Sequence, residues 1–235
     1  MVEALILAGG LGTRLRSAVP DRPKPMALVA GRPFLEYLVS SLRRGGIQTI
    51  VLAIGHQADQ VRRHFGDGAR WELSIRYSQE NEPLGTGGAI KLAGSVLTGD
   101  RFLVLNGDSF LQLDYGDLLH YHDAKRGLVT VAVTQVADRV RYGAVDLADG
   151  GAIHAVSAPG VARGAGWVHG GVCVVSRGLL DQIAPNRPVS LETDVLPRLV
   201  GRGLYGYPAS AGYFIDIGTP ASYREAQASL PERAQ

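Results

Sequence analysis

Apolar and β-branched residues come in short runs along the first half of the chain. "ALILAG" (4–9), "TIVLAI" (49–54), "LSIRYS" (73–78) and "RFLVLNGD" (101–108) each read as a buried strand. Between them the apolar positions recur every three or four residues. Phe34, Leu35, Leu38 and Leu42 mark a first helix, Val61 and Phe65 a second, Ile90, Leu92 and Leu97 a third. Strand alternating with helix at this pitch predicts a parallel sheet with crossover helices. After Asp108 the rhythm changes. "LVTVAVTQV" (128–136), "YGAVDL" (142–147), "AIHAVS" (152–157) and "WVHGGVCVV" (167–175) follow with few helices, which predicts antiparallel or mixed strands. Late helices are expected at "LETDVLPRLV" (191–200) and "PASYREAQASL" (220–230). No repeat or linker interrupts the chain, so residues 1–235 are expected to form one domain.

The glycine-rich stretch "AGGLGTRL" (8–15) follows the first strand and admits three readings. A dinucleotide fingerprint needs a third glycine where the chain has Leu15, and a Walker loop needs Lys-Ser/Thr where it has Thr13-Arg14. Pro20, Pro23 and Pro25 also prevent the long helix that either motif requires. From Gly9 to about Met26 the chain is therefore expected to be an extended loop, and long loops in compact domains are usually functional. It carries Arg14, Arg16, Arg22 and Lys24. Glycine amides and several cations at the C-terminal edge of a parallel sheet suit a polyphosphate. A merely solvated basic loop is the bland alternative, against which the prolines flanking Lys24 argue by fixing the direction of its ammonium.

Two carboxylates stand out by their surroundings. Asp108 ends the apolar run "FLVLNGD", and Asp216 sits within "YFIDIG". An unpaired carboxylate there is costly, so each is expected to meet a cation or water. Asp114, Asp117 and Asp123 read instead as solvated helix residues.

Composition narrows the class. A net charge of +2 argues against a protein that coats nucleic acid. The lone Cys173 excludes an intrachain disulfide, and the six histidines show no metal-ligand spacing. The N-terminus does not read as a signal peptide, and no apolar stretch reaches the roughly 20 residues of a membrane span. A soluble, cytoplasmic protein is expected.

"LILAGGLGTRLRS...DRPKPM" resembles the signature of the sugar-1-phosphate nucleotidyltransferases. The likeness continues in order through "EPLGTGGAI", "VLNGDSF", "YGAV", "HGGVCVV", "LETDVLP" and "YFIDIGTP", covering essentially the whole chain. Within the family the text is most similar to the heptose-1-phosphate guanylyltransferases; mannose-1-phosphate guanylyltransferases and muramic-acid uridylyltransferases share much of it. The resemblance implies a Rossmann-like, mixed and mostly parallel sheet flanked by helices, with an added antiparallel acceptor-binding portion. Its nucleotide half would span about 1–112 and its sugar-phosphate half about 113–230. The implied reaction passes GMP from GTP to a sugar 1-phosphate, most closely D-glycero-α-D-manno-heptose 1-phosphate, for a capsule or surface polysaccharide. Another sugar phosphate or UTP stays open, as does a nucleotide-sugar-binding regulatory subunit. A homodimer is compatible with any of these.

By resemblance, Leu7, Ala8, Gly9, Gly10, Gly12, Thr13 and Arg14 hold the nucleotide, with Arg14 on the departing pyrophosphate and Lys24 on the reacting phosphates. Glu80, Glu82, Pro83, Leu84, Gly85 and Thr86 form the base and ribose floor, and Asn106 and Gly107 complete it. Asp108 joins Arg14 and Lys24 in the catalytic set and shares Mg²⁺ with Asp216. Tyr142, Gly143, His169, Gly170, Glu192 and Asp194 match the sugar-contacting positions, although Glu192 could equally be a helix N-terminal charge. Two departures from the family text matter. His169 stands where asparagine is common, and the family's Glu-Lys pair is missing from "VSAPGVARGAG" (156–166). Either Arg163 replaces that lysine, or the acceptor phosphate is held differently.

Overall fold

The computed structural model describes residues 2–10, 12, 15, 18–209 and 212–234. The first half follows the predicted alternation. β1 (Glu3–Leu7) is followed by a small antiparallel ribbon of β2 (Leu28–Val29) and β3 (Arg32–Pro33), then by α1 (Phe34–Arg44). Next come β4 (Thr49–Ile54), α2 (Ala58–Phe65), β5 (Ser74–Gln79), α3 (Gly85–Ala93) and β6 (Arg101–Asn106). β1 lies at the centre, parallel to β4 through Leu5↔Val51 and to β6 through Leu5↔Val104. β5 extends the sheet beyond β4, again in parallel.

The second half adds antiparallel pairing, as its pattern predicted. β7 (Ser109–Leu111), α4 (Tyr115–Lys125), β8 (Val129–Val136), β9 (Ala144–Leu147), β10 (Ile153–Ser157) and β11 (Gly166–Ser176) follow in order. The long β11 pairs antiparallel with β6, β8 and β9, extending the same sheet. The chain closes with α5 (Leu196–Leu199), β12 (Leu204–Pro208), β13 (Phe214–Asp216) and α6 (Pro220–Arg233). The sheet has nine strands, with β12 parallel to β8 at one margin.

Three boundaries depart from expectation. β6 ends at Asn106, so Asp108 lies past the strand, in the turn that enters β7. Leu97 lies beyond the end of α3 at Ala93. The helix expected over 191–200 is a π-type turn, Leu191–Val195, followed by the four-residue α5. Pro197 brings no amide donor to that segment, which shortens the regular helix.

Side chains alternate across the sheet and build a core on each face. Ala4 and Ile6 of β1 join Leu35, Leu38, Leu42, Ile50 and Leu52 on one side. Leu5 joins Val51, Ala53, Ile90, Phe102 and Val104 on the other. Central strands covered on both faces carry continuous apolar runs, which is why "TIVLAI" does not alternate. Among the described residues, no helix is long and apolar enough to cross a membrane.

Glu3 fastens the N-terminal edge of β1. It is buried and accepts from the Thr98 backbone N–H at 2.6 Å, the Gly99 N–H at 2.9 Å and the Thr98 hydroxyl at 3.1 Å, and it pairs with Arg76. Burial pushes its pKa up, but the N–H donors and the guanidinium outweigh burial and leave it below the ordinary 4.5. Its contribution to stability is therefore complete above that ordinary value and is lost as pH falls through the lowered folded value. Glu3→Gln should lower unfolding free energy at pH 7 by about 1–3 kcal/mol, measured in urea, because Arg76 loses its buried partner. The difference from wild type should shrink in titrations below the ordinary carboxyl range.

Candidate active site

The C-terminal ends of β1, β4, β5 and β6 open onto a cleft of about 370 Å³. Leu7, Gly9, Gly10 and Gly12 form one wall, after β1. Glu80, Pro83, Gly85 and Thr86 form another, running into α3, and Asn106, Gly107 and Asp108 close the end beyond β6 with Lys24. The other residues assigned to the nucleotide fall around this cleft. Ala8 is buried behind the wall, and the Leu84 N–H donates to Glu80 Oε2 at 3.0 Å. Glu82 is exposed and does not line the cleft. Thr13, Arg14 and Arg16 lie outside the described residues. Reasoning from the sequence missed Ser78 and the apolar Ala53, Ile54, Ala89 and Leu92, the last four of which give the cleft its apolar floor. The available signal was the end of "TIVLAI", the strand beside β1 in the sheet.

Glycines set how closely the walls approach. A Cβ on Gly9 would stand 2.7 Å from Glu80 Oε1, and one on Gly55 would stand 2.9 Å from the same atom. The Glu80 carboxyl is thus packed across two glycines while one oxygen holds the Leu84 amide. A Cβ on Gly107 would meet the Leu7 carbonyl oxygen at 2.5 Å, so the turn carrying Asp108 presses directly on the end of β1. Gly10 differs, because a Cβ there would touch nothing within 4 Å.

At the end of the cleft the Lys24 ammonium makes an ion pair with Asp108. Lys24 begins a short 3-10 turn, Lys24–Met26, after Pro23, and its side chain is 10% exposed against 34% for Asp108. Asp216 lies alongside. A separate ribbon, outside the main sheet, brings the two aspartates together. β7 and β13 pair antiparallel with Asp216 opposite Ser109, and the Ile217 N–H donates to the Asp108 carbonyl at 2.9 Å. A Cβ on Gly218 would lie 2.5 Å from Asp216 Oδ1 and 3.5 Å from Lys24 Nζ. The ammonium, paired with Asp108, and Asp216 thus both approach one glycine.

Asp216 has its own partners. Arg141 Nη2 donates to Oδ1 at 3.0 Å and to Oδ2 at 2.8 Å, the Tyr142 hydroxyl donates to Oδ2 at 2.7 Å, and the Gly218 N–H donates to Oδ1 at 2.7 Å. Burial raises the Tyr142 pKa, and the bond to Asp216 raises it further, so the phenol stays a donor. Arg141 escaped the sequence reading because nothing in "DRVRYG" separates it from the neighbouring arginines. Asp108, in the turn between β6 and β7, and Asp216, at the end of β13, are carboxylates of the kind and number that would suit a magnesium ion completed by phosphate and water. Among the described residues no group of three or more His, Cys, Asp or Glu side chains could hold a metal.

The residues assigned to the acceptor divide. The Gly143 carbonyl accepts from the His169 N–H at 3.3 Å, which places β9's approach against β11. His169 Nδ1 accepts from the Gly171 N–H at 2.8 Å, so its proton sits on Nε2, a buried atom with no partner among the described residues. Burial lowers the imidazole pKa, against the pull of the Glu192 charge, and keeps the ring neutral. Gly170 packs where a Cβ would meet Leu111 at 2.6 Å. Glu192 accepts from the Thr86 hydroxyl at 2.7 Å and the Ser190 hydroxyl at 3.1 Å, tying the 190–192 segment to the first turn of α3. Asp194 accepts from the Ser190 N–H at 2.8 Å, a local capping role. Arg163 is exposed, and its recorded contact is a carbonyl that accepts from Arg139 at 3.3 Å. Its side chain makes no recorded bond to Lys24, Asp108 or Asp216.

A profile of the nucleotidyl transferase family matches residues 3–233. A D-glycero-alpha-D-manno-heptose 1-phosphate guanylyltransferase of Aneurinibacillus thermoaerophilus is 36% identical over 230 residues, covering 97% of this chain and 98% of that one. A mannose-1-phosphate guanylyltransferase of Mycobacterium tuberculosis is 35% identical, over 97% of this chain and 64% of its own length. The crystal structure of HddC from Yersinia pseudotuberculosis superposes with a TM-score of 0.86 at 33% identity, covering 98% of this chain and 100% of that one. A structure of the same protein complexed with GMP-PN superposes at 0.84.

The glycine geometry separates packing from ligand approach. Gly107→Ala should cost stability by about 1–3 kcal/mol in thermal or urea unfolding, because its new methyl meets backbone that cannot swing aside. Gly10→Ala should unfold like wild type yet bind nucleoside triphosphate more weakly in calorimetry. Equal nucleotide affinity in Gly10→Ala would show that no phosphate approaches that backbone closely.

Proposed function

The chain belongs to the nucleotidyl transferase family, and from that premise we propose that it transfers GMP from GTP to D-glycero-α-D-manno-heptose 1-phosphate. The products are GDP-heptose and pyrophosphate, the former a donor for capsule or surface polysaccharide. The observation that carries this reading is the juxtaposition of Lys24, Asp108 and Asp216 at the end of a glycine-walled cleft. The likeness to the heptose 1-phosphate guanylyltransferase of A. thermoaerophilus supports the choice of sugar and base. The mannose-1-phosphate guanylyltransferase of M. tuberculosis is nearly as similar, so mannose 1-phosphate is the second reading.

In the proposed reaction a phosphate oxygen of the sugar 1-phosphate attacks the α-phosphorus in line. A new P–O bond forms as the bond to the β-phosphate breaks, and pyrophosphate leaves with the electron pair. No proton transfer is required, so the protein's task is positioning and charge neutralisation. The amides around Gly9, Gly10 and Gly12 suit the nucleotide phosphates, and Glu80 suits the N–H edge of guanine. Lys24 supplies a point charge where negative charge is redistributed. Arg14 would meet the departing pyrophosphate. Asp108 and Asp216 would hold Mg²⁺, which when bound would neutralise phosphate charge. Residues to about 112 would serve the nucleotide and the remainder the acceptor.

A matrix of nucleoside triphosphates against sugar 1-phosphates, scored by pyrophosphate release, tests this directly. GTP with the heptose phosphate should be the best pair. Absence of release from every pair would favour a regulatory nucleotide-sugar-binding subunit.

Lys24→Ala should lower turnover about a hundredfold or more, roughly 3 kcal/mol of barrier, with nucleotide affinity changed far less. Asp108→Asn and Asp216→Asn should each keep the fold and abolish most turnover. The double variant should be scarcely worse than either, since both act through one ion. Full activity of the wild type in excess chelator would remove the shared metal from this scheme.

A further inference from the structure

The acceptor of the proposed reaction carries a phosphate monoester, close to a dianion at neutral pH. It must reach a centre already occupied by two carboxylates, so a cation has to receive it. Arg163 does not meet that need, being exposed and joined to the fold here only through its backbone carbonyl. Lys24 is already paired with Asp108. Arg141 is the cation beside Asp216, and its hydrogen bonds are unevenly used. Nη2 alone makes the bonds to Asp216, at 3.0 and 2.8 Å, and a further one to the Ser222 hydroxyl at 3.3 Å. Nε and Nη1 have no partner among the described residues, and the side chain is 41% exposed. A guanidinium offers five N–H groups in a planar fork, so those of Nη1 and Nε remain for a ligand, and the two on Nη1 can donate to phosphate oxygens.

The fork is held in place before any ligand arrives. Arg141 lies 5.3 Å over the ring of Tyr142, whose hydroxyl donates to the same Asp216. Ser222 belongs to the capping box that starts α6, and it is itself buried. Side chains so fixed lose little entropy on binding. Asp216 Oδ1 and Lys24 Nζ both lie within 3.5 Å of where a Cβ on Gly218 would stand, so the carboxylate that holds Arg141 is near the group proposed to serve the reaction.

Resting on the proposed guanylyl transfer, we infer that Arg141 is the residue that receives the 1-phosphate of the acceptor sugar. It replaces the family lysine that this chain lacks, and it does so from the loop before β9 instead of from the 156–166 segment. Nη2 stays on Asp216 while the N–H groups of Nη1 donate to the phosphate. The sugar is thereby recognised by its anomeric phosphate.

Steady-state kinetics on the substrate pair that wild type turns over best tests the assignment. Arg141→Gln should raise the KM for the sugar 1-phosphate at least tenfold while the KM for the nucleotide stays within twofold. Arg141→Lys should recover part of the loss, since it keeps the charge but not the fork. It also carries the test should the glutamine variant melt below the assay temperature. Equal rises in both KM values, or no rise in either, would overturn the assignment. If wild type turns over no pair, the guanylyl-transfer reading is the one that fails, and calorimetry with heptose 1-phosphate and mannose 1-phosphate decides Arg141. Binding to wild type that is lost in Arg141→Gln supports the assignment. Equal binding, or none to either protein, refutes it.

Discussion

The contact on which the site depends is the ion pair between Lys24 and Asp108. It joins the long loop after β1 to the turn after β6, two segments separated by the whole first half of the fold. The ammonium on a carboxylate, with Pro23 and Pro25 limiting the backbone on either side, positions the Lys24 turn. Desolvating a lone ammonium or a lone carboxylate at a sheet edge would be costly, whereas the pair is tolerated and keeps Asp108 partly open. A polyphosphate entering the cleft would therefore meet charges that are already oriented, the arrangement that electrostatic stabilisation of a transferred phosphoryl group requires.

Close approach of backbone to backbone is the second constraint. Gly107 sits against the Leu7 carbonyl, and Gly9 and Gly55 lie under the Glu80 carboxyl. These contacts let three neighbouring strand ends converge without side chains filling the space between them. The cleft is a consequence of that convergence. Its walls are polar where amides and Glu80 face it and apolar where Ala53, Ile54, Ala89 and Leu92 close the floor. Such a surface suits a planar base at one end and phosphates at the other.

The second half of the chain is attached to this centre by its own devices. The β7–β13 ribbon brings Asp216 beside Asp108, Thr86 bonds to Glu192, and Arg141 links Asp216 to the start of α6. Each link joins residues far apart in the chain, so the first and second halves are coupled through short polar contacts. His169 stands apart from them. Its Nδ1 is engaged by a backbone amide, leaving a neutral Nε2–H buried near Glu192 as a donor awaiting an acceptor.

Much of this was legible in the residues alone. Continuous apolar runs gave "TIVLAI" its place as a strand covered on both faces, because burial on two sides demands it. The prolines around Lys24 excluded a dinucleotide helix, and the isolated aspartates in apolar segments announced that each needed a partner. What those partners are was not legible. Pattern reports which side chains avoid water, but ion pairing depends on distances between segments that sequence order does not set. Only the fold could separate Glu80, in the cleft, from Glu82, exposed outside it, since the chain bends at Asn81 and Glu82 between them. Only the fold could demote Arg163 to a solvent-exposed loop and put Arg141 on Asp216, because arginines look alike in sequence. The residues of this chain determined its strands, its helices and the charges its site requires. The tertiary structure decided which charge answers which, because that choice is made by the register of β7 on β13 and the turns at their ends.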